Sequence, residues 1–275
     1  MPPTLLTHFK QYVKIINKHG LENKQPINLD YYDFLAPTTV LPLVSLVFNQ
    51  DKTIKEHKNP KVNNHLLSLL GLKKHKQTTL PFRAIDQDKD NSTELTKDFL
   101  NIMKYPKQNE NALKFIFHEL ITNVYDHSNF NKGFVLGQNF PNVLQADFCF
   151  MDNGISIPGS LRNFGYEFSN DCEAILQAIN GLSTKDDGRG YVERGTGLNS
   201  TVNIVTKGGN GEFLIASNKG LLDINKRRII AMEIPENYIN GTFISLRVSS
   251  SKKIDIYDYL AHSKYKITKN IALFK

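Results

Sequence analysis

The hydrophobic positions divide the chain into a helical opening and a longer mixed part. In residues 5–18, Leu5, Phe9, Tyr12, Val13 and Ile16 recur at helical spacing and predict an amphipathic helix that ends near Gly20. A strand is expected over 26–32. A helix is expected from Pro37 to about Phe48, where proline suits the first turn. Weak alternation over 51–58 reads as an edge strand. Residues 62–70 read as a helix capped by Gly71, and 78–85 as a further short strand. The polar stretch Asp86–Ser92 marks a boundary. It divides a small α/β module (1–88) from a larger domain (89–250), with a basic tail at 251–275.

Past the boundary, Asn91 with Glu94 three residues on predicts a helix start, and Pro106 stops that helix. The next helix, 110–127, is the most informative. At about 100° per residue, Leu113, Ile116, Leu120 and Val124 form one apolar stripe, with Glu119, Asn123 and Asp126 along its border. An acid and an amide at the edge of a buried face are set to line a cleft. After Gly133 the period changes to two, predicting strands at 133–140 and 143–152 around a turn at Pro141-Asn142. A helix follows at 171–180, then a glycine-rich and charged loop at 181–197, and a helix from Leu198 to about Lys207. Strands are expected at 211–217, 228–234 and 241–248, and the segment beyond 250 has no assigned element.

Composition narrows the class. No apolar run is long enough to span a bilayer, and Met1-Pro2-Pro3 leads into an amphipathic stretch, not a basic start with an apolar block. A cytoplasmic protein with no membrane partner is therefore expected. Two cysteines, Cys149 and Cys172, make neither a disulfide framework nor a C-x-x-C metal site. The net charge of +7 raises nucleic acid as a partner, but the lysines are spread along the chain, which favours general solvation.

Four features carry chemistry. The 110–127 helix bears Glu119 and Asn123. A strand ends in Asp152-Asn153-Gly154. A glycine-rich loop, Gly195-Thr196-Gly197-Leu198, opens a helix, and a late strand begins Gly241-Thr242. An aspartate at a strand end, followed by glycine, accepts a hydrogen bond from a planar ligand edge while the glycine admits the ring. A Gly-x-Gly turn at a helix start offers backbone N–H groups to phosphate. An asparagine amide oxygen suits Mg²⁺, and a carboxylate one turn away suits a base for water or a hydroxyl. Each feature alone has a plainer reading as turn, loop or solvated side chain; the four in this order carry the argument.

The combination resembles the GHKL ATP-binding superfamily of gyrase-type ATPases, Hsp90, sensor histidine kinases, MutL and the anti-sigma-factor serine kinases. H-E-L-I-T-N-V-Y-D-H-S resembles the N box, D-N-G-I-S-I-P the G1 box, and L-S-T-K … G-R-G-Y-V-E-R-G-T-G-L the lid and G2 box, over about 92–248. The resemblance implies an α+β fold of the two-layer α/β sandwich (Bergerat) type, with ATP and Mg²⁺ as cofactors. It implies Glu119 as catalytic base, Asn123 as Mg²⁺ ligand, and Asp152 on the adenine amino group with Gly154 beside the ring. Lys185, Gly195, Thr196, Gly197 and Leu198 would serve the phosphates, and Thr242 would support Asp152. Ser156 and Asn199 stand where the family pattern has glycine. The N-terminal stretch N-L-D-Y-Y-D-F-L is similar in outline to the STAS domains of anti-sigma-factor antagonists.

Among the branches, the anti-sigma serine kinases match best. His57, His65 and His75 lie in no phosphoacceptor pattern and read as surface or packing residues, and about 25 residues follow the last expected strand, too few for the second domain of the gyrase and MutL branches. The expectation is a Mg-ATP-dependent regulator that phosphorylates or switches a protein partner, with a homodimer as a family trait. The alternatives are a non-catalytic ATP sensor and a nucleic-acid-linked ATPase.

Overall fold

A computed structural model describes residues 3–22, 25–73, 78–103, 109–182, 196–249 and 253–271. The apolar periodicity sets most elements. Helix α1 (Leu5–His19) starts where the Thr4 hydroxyl accepts from the Thr7 N–H and ends at Gly20. Helices α2 (Pro37–Gln50) and α3 (Pro60–Leu69) both carry proline in the first turn. Strand β1 (Thr79–Ile85) leads to α4 (Ser92–Met103) and α5 (Glu110–His127), then to strands β2 (Gly133–Phe140) and β3 (Gln145–Asp152). Helices α6 (Ile157–Asn163), α7 (Asp171–Ile179) and α8 (Thr196–Asn203) follow, the last running into a π-helical turn over Ile204–Gly208. Strands β4 (Glu212–Ser217), β5 (Gly220–Asn225), β6 (Arg228–Glu233), β7 (Thr242–Ser249) and β8 (Lys269–Ile271) complete one eight-stranded sheet in the order β1-β2-β3-β7-β4-β5-β6-β8. All pairs are antiparallel except β6–β8.

The fold is α+β, as expected; α1–α3, from the part read as a small N-terminal α/β module, cover the face of the sheet that a two-layer sandwich leaves open, so helices lie on both faces. Alternation along the strands shows why. On β3, Ala146, Phe148 and Phe150 face a core built with α4, α5, α7 and α8, while Cys149 and Met151 face a second core built with α1, α2 and α3. Leu214 and Ala216 on β4 and Leu221 on β5 join that second core, so strands buried on both faces read as nearly continuous apolar runs. The strands expected at 26–32 and 51–58 do not form; the two stretches meet in a single parallel bridge between Ile27 and Ile54. Ile27 and Leu29 are buried in the helical core, so their apolar character serves packing rather than a ladder.

A charged row anchors α1 to the back of the sheet. Arg247 Nε and Nη2 donate to the two carboxylate oxygens of Asp147 at 2.7 and 2.8 Å, and its Nη1 donates to the Pro3 carbonyl at 2.6 Å. Glu212, opposite Arg247 on the next strand, accepts from the Leu5 N–H at 2.7 Å. A carboxylate at the α1 start thus meets an unsatisfied helical N–H and the positive end of the dipole. Of the histidines assigned to packing, His57 and His65 reach backbone carbonyls of Tyr32 and Leu35, and His75 lies outside the described residues.

Candidate functional site

The opposite face of the same sheet carries a second polar row. Register places Asp152 of β3 opposite Thr242 of β7, and Thr242 opposite Ser217 of β4. All three lie on the face toward α5, α7 and α8. Asp152 is 4% exposed. Burial pushes its carboxyl up to about 7, against the opposing pull of the N–H groups of Gly154 and Thr242. The Gly154 N–H donates to Asp152 Oδ1 at 2.9 Å. Ser217 Oγ lies 3.0 Å from Thr242 Oγ1, donates to the Gly241 carbonyl at 3.0 Å, and accepts from the Ile157 N–H at 2.9 Å.

The turn after β3 is stitched to the end of α5. Asn153 Oδ1 accepts from the N–H groups of Asn131 and Lys132 at 3.1 and 2.7 Å, and the Ile155 N–H donates to the Ser128 carbonyl. A Cβ at position 154 would run into that carbonyl, so only glycine lets the turn sit this close to the helix. These bonds fix Asp152 beside the helix that bears Glu119 and Asn123.

A cavity of about 190 Å³ lies between these elements. That is roughly ten times the ~15 Å³ a single buried water needs, so a multi-ring or multi-atom ligand fits. Glu119 and Asn123 form part of one wall, Asp152 and Thr242 the floor, and Gly197 and Leu198 of α8 another wall. The mostly apolar remainder includes Phe150, Met151, Ile155 and Ile244. This pattern of few polar groups in an apolar pocket is typical of small-molecule sites. Gly197 closes directly on Glu119, since a Cβ there would strike Glu119 Oε2. The Glu119 carboxylate therefore rests against the start of α8, the positive end of the helix dipole.

Six of the residues singled out in the sequence thus line one cavity: Glu119, Asn123, Asp152, Gly197, Leu198 and Thr242. Gly154 supports it by bonding Asp152, and Thr196 is exposed at the first position of α8. Lys185 and Gly195 lie outside the described residues. Asp126, on the same helix border, is exposed and is not among the residues that line this cavity. No protein-family model matches this chain, and no curated protein matches it. Among the described residues, no helix is long and apolar enough to cross a membrane, and no group of three or more His, Cys, Asp or Glu could hold a metal by protein side chains alone.

Two contributors escaped the sequence reading. Ser217 ends a strand with no motif around it, and only the β4–β7 register brings it to Thr242. Ser128, whose hydroxyl bonds the Val124 carbonyl, lines the cavity from the helix end. The two departures from glycine also have visible structural work. Ser156 Oγ caps α6 by accepting from the Gly159 N–H at 3.1 Å, and Asn199 is fully buried.

Proposed function

We propose that this chain binds Mg-ATP in the cavity, in the manner of the GHKL superfamily, and acts as a nucleotide-dependent regulator of a protein partner. The observation that carries the reading is the convergence of Glu119, Asn123, Asp152, Gly197 and Thr242, drawn from four separate segments, on one cavity. In it, adenine lies on the sheet row, its amino group donating to Asp152 with Thr242 and Ser217 behind. The phosphates run toward α8, where Gly197 and its neighbours present N–H groups. Asn123 lines the same cavity wall, and its amide oxygen would suit a Mg²⁺ held mainly by phosphate oxygens and water, as this hard cation prefers. When bound, the ion neutralises phosphate charge. Glu119, one helical turn from Asn123, is the base for a water or for a Ser/Thr hydroxyl of the partner. Ligand-induced stabilisation tests the reading. Mg-ATP at a hundred times its Kd adds about 2.7 kcal/mol to stability, and Asp152→Ala abolishes the gain. Wild-type protein that shows no shift with any adenine nucleotide sinks the proposal.

A second reading, an ATP sensor without turnover, draws support from Glu119 resting on Gly197 and from the structural duties of Ser156 and Asn199. Glu119→Gln separates the two: lost ATP turnover or partner phosphorylation favours the enzyme, and an unchanged partner response favours the sensor. A homodimer and a protein partner rest on the family resemblance.

A further inference from the structure

The C-terminal segment, left without an element in the sequence reading, runs across the outside of α7 and α8. It starts at Ile254, whose N–H donates to the buried Asn109 side chain at 2.8 Å, and ends as β8 beside β6. Between these points it is held by side-chain amides that act as backbone mimics. Asn180, which caps α7, donates to the Tyr265 carbonyl at 3.0 Å and accepts from the Tyr265 N–H at 2.8 Å. Asn199, in α8, donates to the Ser263 carbonyl at 2.7 Å and accepts from the Ser263 N–H at 3.0 Å; it also donates to Ile179, the last residue of α7, at 2.9 Å. Asn203, one turn on, donates to the Ala261 carbonyl and accepts from the Tyr265 hydroxyl at 2.6 Å.

Only a carboxamide can donate and accept at once in this way, so neither Asp nor Leu could replace Asn199 without leaving a buried partner unsatisfied. The helices so gripped are two of those that wall the cavity. Ala178 and Leu182 line it from the end of α7, and Gly197 and Leu198 from the start of α8, two residues and one residue before Asn199.

We propose that residues 253–271 form a strap that positions the phosphate-facing end of α8, with Asn180, Asn199 and Asn203 as positioning residues acting through it on Gly197 and Leu198. The inference rests on the nucleotide reading for the ligand concerned, and on the bonds above for the strap. Adenine, held by the sheet row, is independent of the strap; the phosphates are not. In the full chain, Asn199→Ala therefore weakens Mg-ADP binding about tenfold, the scale of losing one buried, fully satisfied polar contact, while adenosine affinity is unchanged. Hydrogen exchange in the absence of nucleotide then shows faster exchange both in 261–266 and in 196–200. Tyr265→Phe, which deletes one hydroxyl and keeps the ring, gives the same split at smaller size and serves if Asn199→Ala does not fold. Equal losses for ADP and adenosine overturn the inference, as does a freed strap with unchanged exchange in 196–200. If wild-type protein binds neither ligand, the nucleotide reading falls, and the exchange comparison alone decides whether the strap holds α8.

Discussion

Asp152 makes the sharpest quantitative test because it is costly to the fold. Its carboxyl is raised from an ordinary value of 3.8 to about 7 by burial. The difference, 7 − 3.8, is about three pKa units, or on the order of 4 kcal/mol at 1.36 kcal/mol per unit. Between pH ~4 and ~7 the folded protein holds a proton that the unfolded chain has released, so stability falls as pH rises through this window and levels off above it. Asp152→Asn keeps the shape and cannot ionise. One N–H donor, Gly154 or Thr242, then faces an amide NH₂, which returns about 1 kcal/mol. The net expectation is a variant more stable than wild type by roughly 3 kcal/mol at pH 8 and less stable by about 1 kcal/mol at pH 4. Urea unfolding at pH 4, 6 and 8, fitted with a shared m-value, reads this directly. Burial also raises Asp223, to about 6, and Glu212, so the measured quantity is the difference in slope between wild type and variant. The same substitution should abolish adenine nucleotide binding, since the amide offers an N–H where the ligand's amino group needs an acceptor. A functional carboxylate that costs stability is the expected trade-off at a binding site. An Asp152→Asn protein that is no more stable than wild type at pH 8, with an unchanged pH slope, would refute the argument.

Further outcomes follow from the same geometry. Gly197→Ala puts a methyl onto the carboxylate end of the Glu119 side chain, which can swing aside, so stability should change by less than about 1 kcal/mol while nucleotide affinity falls; a loss above about 3 kcal/mol in thermal unfolding would show that Glu119 cannot yield. Arg247→Met leaves Asp147 buried without its bidentate partner and should destabilise by about 3–5 kcal/mol, with hydrogen exchange rising in α1; a loss below about 1 kcal/mol would mean the row does not anchor that helix. Burial raises both the Cys149 and Cys172 thiols above their ordinary range, so neither should react with a disulfide reagent at pH 8 until urea unfolds the chain. Asn123→Ala should remove the Mg²⁺ dependence of nucleotide affinity while leaving adenosine binding intact, which titration with and without the ion would measure.

Much of the front half of the site was legible in one dimension because its chemistry is local. Glu119 and Asn123 sit one turn apart on α5, and that spacing follows from helix geometry alone. Asp152 and Gly154 are neighbours in one turn, and Gly197 and Leu198 lie in one helical start. The α5 boundaries, 110–127, came from its apolar stripe, and β2 came from its alternation. Short or doubly buried elements were harder. Helix α6 has seven residues, too few for a period to show. In β5, Leu221 and Leu222 are adjacent and both buried, on opposite faces, so no alternation marks the strand.

What the sequence determined by itself, then, was most of the longer helices and strands and the residue types that stand together on α5, in the turn after β3 and at the start of α8, since these depend on residues within a turn or two of one another. Tertiary structure decided that α1–α3 cover the back of the same sheet, that Ser217 stands behind Thr242, and that the C-terminal segment reaches Asn180 and Asn199. These depend on strand register and on contacts between residues tens to hundreds of positions apart, for which a linear pattern holds no period to read. Asn199 shows the difference most clearly. In the sequence it was a departure from glycine in a phosphate loop; in the fold it is a buried carboxamide whose donor and acceptor are both matched by the peptide of Ser263.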